Sequence, residues 1–192
     1  MKNVRKANVL VAATLLSVLG VGVPAGAVST IHVDSTTVVS HAMKKLAFTA
    51  SYVGNVKILF GASRVSGTMS GAGKGTTLGQ GTVTASGATT SFSTSSASDP
   101  LTGNAVLKGA GGSITVKTVS VYASTTSSAA PTTSSPDAVV VAGTVKVLKG
   151  TGKFAGASGT LTVHASFRVN STSGSETQKF SATLKGSLSV KA

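Results

Sequence analysis

Side chains able to do acid–base chemistry are scarce in this chain. It offers four carboxylates, Asp34, Asp99, Asp137 and Glu176, and three histidines, His32, His41 and His164. General acid–base catalysis needs such groups within reach of one another and with tuned pKa values. His32 and Asp34 stand two residues apart, on one face of a strand, with His41 nearby. That trio could work as an acid–base pair or hold a metal. His164 falls on the polar face of a strand, where a solvated histidine is the ordinary outcome. His32, Asp34 and His164 are therefore the catalytic candidates. With no cysteine and no tight histidine spacing, no metal centre and no cofactor is expected. Asp99 and Asp137 adjoin prolines and read as turn residues, and Glu176 reads as part of a hairpin loop. Acids this scattered give a poor start to a paired-carboxylate glycosidase.

Other patterns fail on spacing. Ser70-Gly71-Ala72-Gly73-Lys74-Gly75-Thr76 resembles a phosphate loop. That loop, however, needs Gly-x-x-x-x-Gly-Lys-[Ser/Thr] feeding a helix. Here Thr68 occupies the first glycine position, Gly75 intervenes before the hydroxyl, and a strand follows. Gly156-Ala157-Ser158-Gly159 lacks the spacing of a nucleophile elbow. Aromatic residues are too few for a base-stacking nucleic-acid surface or for the girdles of an outer-membrane barrel.

The elements that must position these residues are strands. Period 2 dominates after the N-terminal segment, and no helical period is sustained. From Phe48 the even positions run Phe48, Ala50, Tyr52, Gly54, Val56, Ile58 and Phe60, which predicts one long bent strand or a hairpin turning at Gly54-Asn55. From Val65 to Gly87 the odd positions are mostly glycine, which reads as two strands with a sharply coiled middle. Residues 88–99 are rich in Ser and Thr and end at Asp99-Pro100, a turn signal. Strands are expected at about 104–108 and 113–123, the second changing face between Val116 and Val119 at a bulge. Residues 124–136 read as a mobile low-complexity loop. Val139, Val141, Val145 and Val147 share a face. The last hairpin alternates Leu161, Val163, Ala165, Phe167 and Val169, then Phe180, Ala182, Leu184, Leu188 and Val190, against polar partners. Val106–Gly111 and Val147–Gly152 are partial copies of one another.

The N-terminus reads as an address. Lys2, Arg5 and Lys6 precede an apolar stretch from Val9 to Val23, then Pro24 and Ala25-Gly26-Ala27, the small-x-small shape of a signal peptidase site. Cleavage after Ala27 and secretion are expected. The chain has 17 Lys+Arg against 4 Asp+Glu; setting aside Lys2, Arg5 and Lys6 leaves 14 against 4, a net of +10. Such a charge suits either solubility or attraction to polyanions. The basic residues are scattered along the sequence, which favours the first.

Gly150-Thr151-Gly152-Lys153-Phe154-Ala155-Gly156-Ala157-Ser158-Gly159 resembles the Gly-x-Gly-x-Phe-x-Gly-Ala-x-Gly run of the allene oxide cyclase and dirigent-like barrel families. The chain also resembles small exported actinobacterial-type proteins of unassigned role. In the barrel families the run is structural, here Gly150, Gly152, Gly156 and Gly159. The resemblance implies a barrel whose plant members cyclise an epoxide or guide radical coupling, and their catalytic acids and arginines have no counterparts here.

The expected fold is all-β: a single antiparallel up-and-down barrel of about eight strands, or alternatively a β-sandwich. A cleaved signal helix at 1–27 precedes it, followed by an N-terminal extension or first strand at 28–46 and the barrel at 47–192, with Ser/Thr-rich loops near 88–99 and 124–136. The expected role is non-enzymatic binding of a small apolar ligand or an anionic cell-surface polymer. The alternatives are a cyclase- or isomerase-type enzyme, or a structural or adhesive surface protein. No nucleic-acid partner is expected, and no membrane span after signal cleavage.

Overall fold

The computed structural model describes residues 42–62, 64–89, 98–127 and 129–192. The expected signal segment, most of the 28–46 extension, and His32, Asp34 and His41 lie outside them. Eight strands follow one another: β1 (Met43–Phe60), β2 (Val65–Gly75), β3 (Gly79–Thr89), β4 (Asp99–Gly109), β5 (Gly112–Thr125), β6 (Asp137–Gly152), β7 (Ser158–Val169) and β8 (Gly174–Lys191). Each pairs antiparallel with the next, and β8 pairs with β1, so the sheet is a closed barrel. Among the described residues there is no helix. Closure satisfies every strand edge, the ordinary liability of a sheet. The seam between β1 and β8 is the longest ladder, from Met43 opposite Lys191 to Phe60 opposite Gly174.

The alternation read from the sequence sets the faces. Phe48, Ala50, Tyr52, Val56 and Ile58 of β1 are buried, as are Leu161, Ala165 and Val169 of β7 and the apolar set of β8. β1 is one strand through Gly54-Asn55, not a hairpin. It passes so close to β2 at Gly54 that a Cβ there would strike the Ser70 carbonyl and Gly71 Cα.

The glycine face of β2 has a packing reason. A Cβ at Gly71 would stand 2.9 Å from Phe180 Cζ, and one at Gly73 would stand 2.7 Å from Tyr52 Cδ1. The missing side chains leave room for two aromatic rings delivered by β8 and β1. The rings fill the interior that β2 leaves empty.

Two tight connections plug one end. Leu78, in the turn between β2 and β3, and Phe154, in the turn between β6 and β7, are each 2% exposed. Gly150 admits the second plug, because a Cβ there would collide with the Phe154 carbonyl and come within 2.7 Å of Phe154 Cβ. Gly152 (φ 60°) and Gly156 (φ 73°) take left-handed backbone on either side of it. The turn is closed by Phe154 N–H donating to the Thr151 carbonyl at 3.1 Å and Ala157 N–H to the Phe154 carbonyl at 2.8 Å. The glycine run thus folds a phenylalanine back into the barrel as well as joining two strands.

One expectation changes and another is met. β4 begins at Asp99 itself, so Asp99-Pro100 opens a strand where the sequence suggested a turn. Proline is tolerated in the first residues of a strand, and the ladder to β5 is irregular between Pro100 and Asn104. Thr118 repairs that gap: its hydroxyl accepts from Gly103 N–H at 3.0 Å and donates to the Gly103 carbonyl at 3.3 Å. The bulge anticipated between Val116 and Val119 is present, with the register slipping between Thr118 and Ser120 and Val119 65% exposed.

Replacing Gly73 with Ala should lower stability by about 3 kcal/mol, because the new methyl meets both the Ser51 carbonyl and the Tyr52 ring. Urea denaturation should show a lower midpoint; an unchanged midpoint would mean that the rings do not depend on the glycine stripe.

Candidate ligand cavity

The two halves of the barrel are packed differently. In the plugged half, large side chains such as Phe48, Leu107, Ile114, Leu161 and Leu188 are fully enclosed. Towards the other end, where β1 runs into β2 through residues 61–64, the inward positions shrink to Gly67, Ala85, Gly87, Gly103 and Ala105. An eight-strand barrel is just wide enough for side chains to fill or for one small ligand. Here the small residues leave a cavity of about 170 Å³, walled mainly by valines, alanines and the rings of Phe60, Phe167 and Phe180. Among the described residues no lysine, arginine, histidine or carboxylate belongs to the lining.

The carboxylates form a rim instead. Asp99 lies opposite Ala123, Asp137 opposite Val169 and Glu176 opposite Ile58. All three partners line the cavity, so the acids hold inward register positions at the starts of β4, β6 and β8. Asp137 is 5% exposed. Its carboxylate accepts from Thr126 Oγ1 at 2.8 Å and from Ser127 N–H at 3.4 Å, tying the connection after β5 to the start of β6. Glu176 belongs to β8, not to the preceding loop. It accepts from Asn170 N–H at 3.1 Å and Gln178 Nε2 at 3.1 Å, bracing the turn between β7 and β8. Asp99 and Asp137 are thus buried rim residues rather than exposed turn residues. The sequence signal was available: each opens a strand whose next inward residues are apolar.

Of the catalytic candidates, His164 stands exposed on the outer wall, in a shallow depression with Thr162, Thr183 and Lys185. The barrel wall separates it from the cavity. Among the described residues no group of His, Asp and Glu is arranged to hold a metal.

One polar atom inside is unusual. The Tyr52 hydroxyl is buried without a hydrogen-bond partner. Burial alone raises its pKa above the ordinary value of 10.0, since the phenolate would have to form away from water.

Comparisons of the chain with known protein families, with curated proteins and with solved structures find no match. What the cavity does must therefore be argued from its own chemistry.

Two substitutions check this account. Tyr52→Phe removes the unpartnered hydroxyl and should leave stability unchanged or raise it by up to about 1 kcal/mol. Because the folded state favours neutral Tyr52, the wild-type stability linked to its protonation is complete below about pH 10 and is lost as pH climbs through the raised pKa. The wild type should therefore lose stability above about pH 10 more steeply than the variant, as read from thermal melts across pH. Asp137→Ala should lower stability by about 1–3 kcal/mol, since it strips the acceptor from Thr126 and Ser127. Limited proteolysis should then cut within 126–136 sooner than in the wild type.

Proposed function

We propose that this protein is an exported, non-enzymatic binder of a small, neutral, apolar molecule held inside the barrel. The observation that carries the reading is the half-filled interior: about 170 Å³ of cavity lined, among the described residues, by no ionisable side chain. An engineered apolar cavity of about 150 Å³ stays dry and takes up benzene, so a molecule of substituted-benzene size matches the space here. An anionic ligand is disfavoured. A fatty-acid head group would meet Asp99, Asp137 and Glu176 on the inward register and find no cation among the lining residues. Burial of a ligand of this size supports affinity on the order of 10 µM to 1 mM.

A cyclase or isomerase would need an acid or base against the bound molecule, and the lining offers none. That favours binding over catalysis. The resemblance of residues 150–159 to the allene oxide cyclase and dirigent-like barrels is compatible with either use of a barrel interior. Secretion through the 1–27 segment belongs to the same proposal.

The test is titration of the protein with ethylbenzene and, separately, with benzoate, following the methyl resonances of Val145, Val163 and Leu184 by NMR. Ethylbenzene should shift them and benzoate should not. If neither does, the cavity is not a ligand site. Ala105→Leu should fill part of the space, lowering affinity at least tenfold (about 1.4 kcal/mol) while leaving the melting temperature unchanged or higher.

A further inference from the structure

The lysines, scattered in sequence, are gathered by the register. On the outer wall Lys117 of β5 lies directly opposite Lys146 of β6. Two residues along, Lys149 stands opposite Thr115, and two further on Lys108 of β4 stands opposite Ser113. Lys153 joins them from the turn after β6, its stem lying over Gly111 with Cδ 3.0 Å from where a Cβ would be. All five are exposed. Every Asp and Glu side chain among the described residues sits at the other end of the barrel, in the first residues of β4, β6 and β8. The plugged half of β4–β6 therefore carries concentrated positive charge with no Asp or Glu of the described residues beside it.

Like charges directly opposite one another on a sheet are destabilising, so the Lys117–Lys146 pair costs stability unless an anion bridges it. Neighbouring strands are spaced about 5 Å apart and successive same-face residues about 7 Å. Between the lysines stand hydroxyls, including Ser113 and Thr151, which bond to each other at 2.9 Å. Leu148, 54% exposed, is turned outward beside Lys149 by the register slip between Thr115 and Val116. The surface thus alternates cations, hydroxyls and the apolar Leu148, with Val119 at its edge, and it is convex because the sheet is closed.

We propose that this face binds a linear anionic polysaccharide, with one carboxylate or phosphate per repeat of about 5–7 Å. Charges match the lysines, polymer hydroxyls match Ser113, Thr115 and Thr151, and a sugar face covers Leu148. A flat bilayer meets a convex wall along a strip only, and the large apolar side chains exposed beside the lysines, Leu148 and Val119, are too few to anchor it. The aromatic ring exposed on β5, Tyr122, lies opposite Pro100 towards the other end of the strand, so no base-stacking ring stands among the lysines. The site lies outside the barrel and stands whether or not the cavity takes a ligand.

The test uses polygalacturonate as the probe, with wild-type protein and two quadruple variants of equal net charge. One carries Lys108→Gln, Lys117→Gln, Lys146→Gln and Lys149→Gln. The other carries Lys45→Gln, Lys57→Gln, Lys179→Gln and Lys185→Gln on β1 and β8. The first should bind on the order of a hundredfold more weakly than wild type and the second less than about fivefold. Wild-type binding should fall steeply with salt. Lysine acetylation footprinting of the wild type gives a second readout that needs no variant: bound polymer should protect Lys117, Lys146 and Lys149 above Lys57 and Lys179. Equal losses in the two variants, or uniform protection, would overturn the site. So would tighter binding to anionic vesicles or single-stranded DNA than to polygalacturonate.

Discussion

The interior of a closed eight-strand barrel has a set width, and something must occupy it. That requirement organises this molecule. β2 contributes mostly glycine to the inside, so the wall there is thin and the Tyr52 and Phe180 rings lie against it. At one end the chain turns Leu78 and Phe154 inward and completes the packing. In the other half the inward positions are again small, and the rings of Phe60, Phe167 and Phe180 wall the space without filling it. The same economy of side-chain volume gives a tight core in one half and a cavity in the other.

Register is the second organising device. A one-residue slip in a strand exchanges its two faces. Val106–Gly111 and Val147–Gly152 are nearly the same in sequence, yet Leu107 is fully buried and Leu148 is mostly exposed. The slip between Thr115 and Val116 accounts for the difference, since the chain of β6 carries an extra residue against β5. The slip at Thr118 turns Val119 out in the same way. These bulges let the interior stay apolar while the sheet bends, and they place an apolar side chain among the outer lysines.

Charge follows the same inside–outside logic with an axial component. Among the described residues the cavity lining has no ionisable group, the rim has carboxylates bonded to local backbone and hydroxyl donors, and the outer wall has the lysines. A neutral guest within and an anionic partner without are compatible demands on one barrel, because its wall keeps them apart.

Much of the architecture was legible in the chain. Alternation in β1, β7 and β8 is a direct consequence of the two-residue strand period, so the buried faces could be read one side chain at a time. The bulge near Val119 was legible for the same reason, as a break in that period. Even the small inward residues were visible, but not the space they leave, since volume depends on what stands across the barrel. Nothing local in β2 says that Tyr52 and Phe180 will cover its glycines. Asp99 and Asp137 looked like turn residues because proline and acid together favour turns, whereas pairing with β5 and β7 drew them into strands at the rim. Lys108 and Lys117 are far in sequence from Lys146 and Lys149 of β6, and cross-strand pairing brings them together. The amino-acid sequence by itself determined which side of each strand is apolar; only closure of the sheet decided which side chains meet, and so where the cavity and the basic face lie.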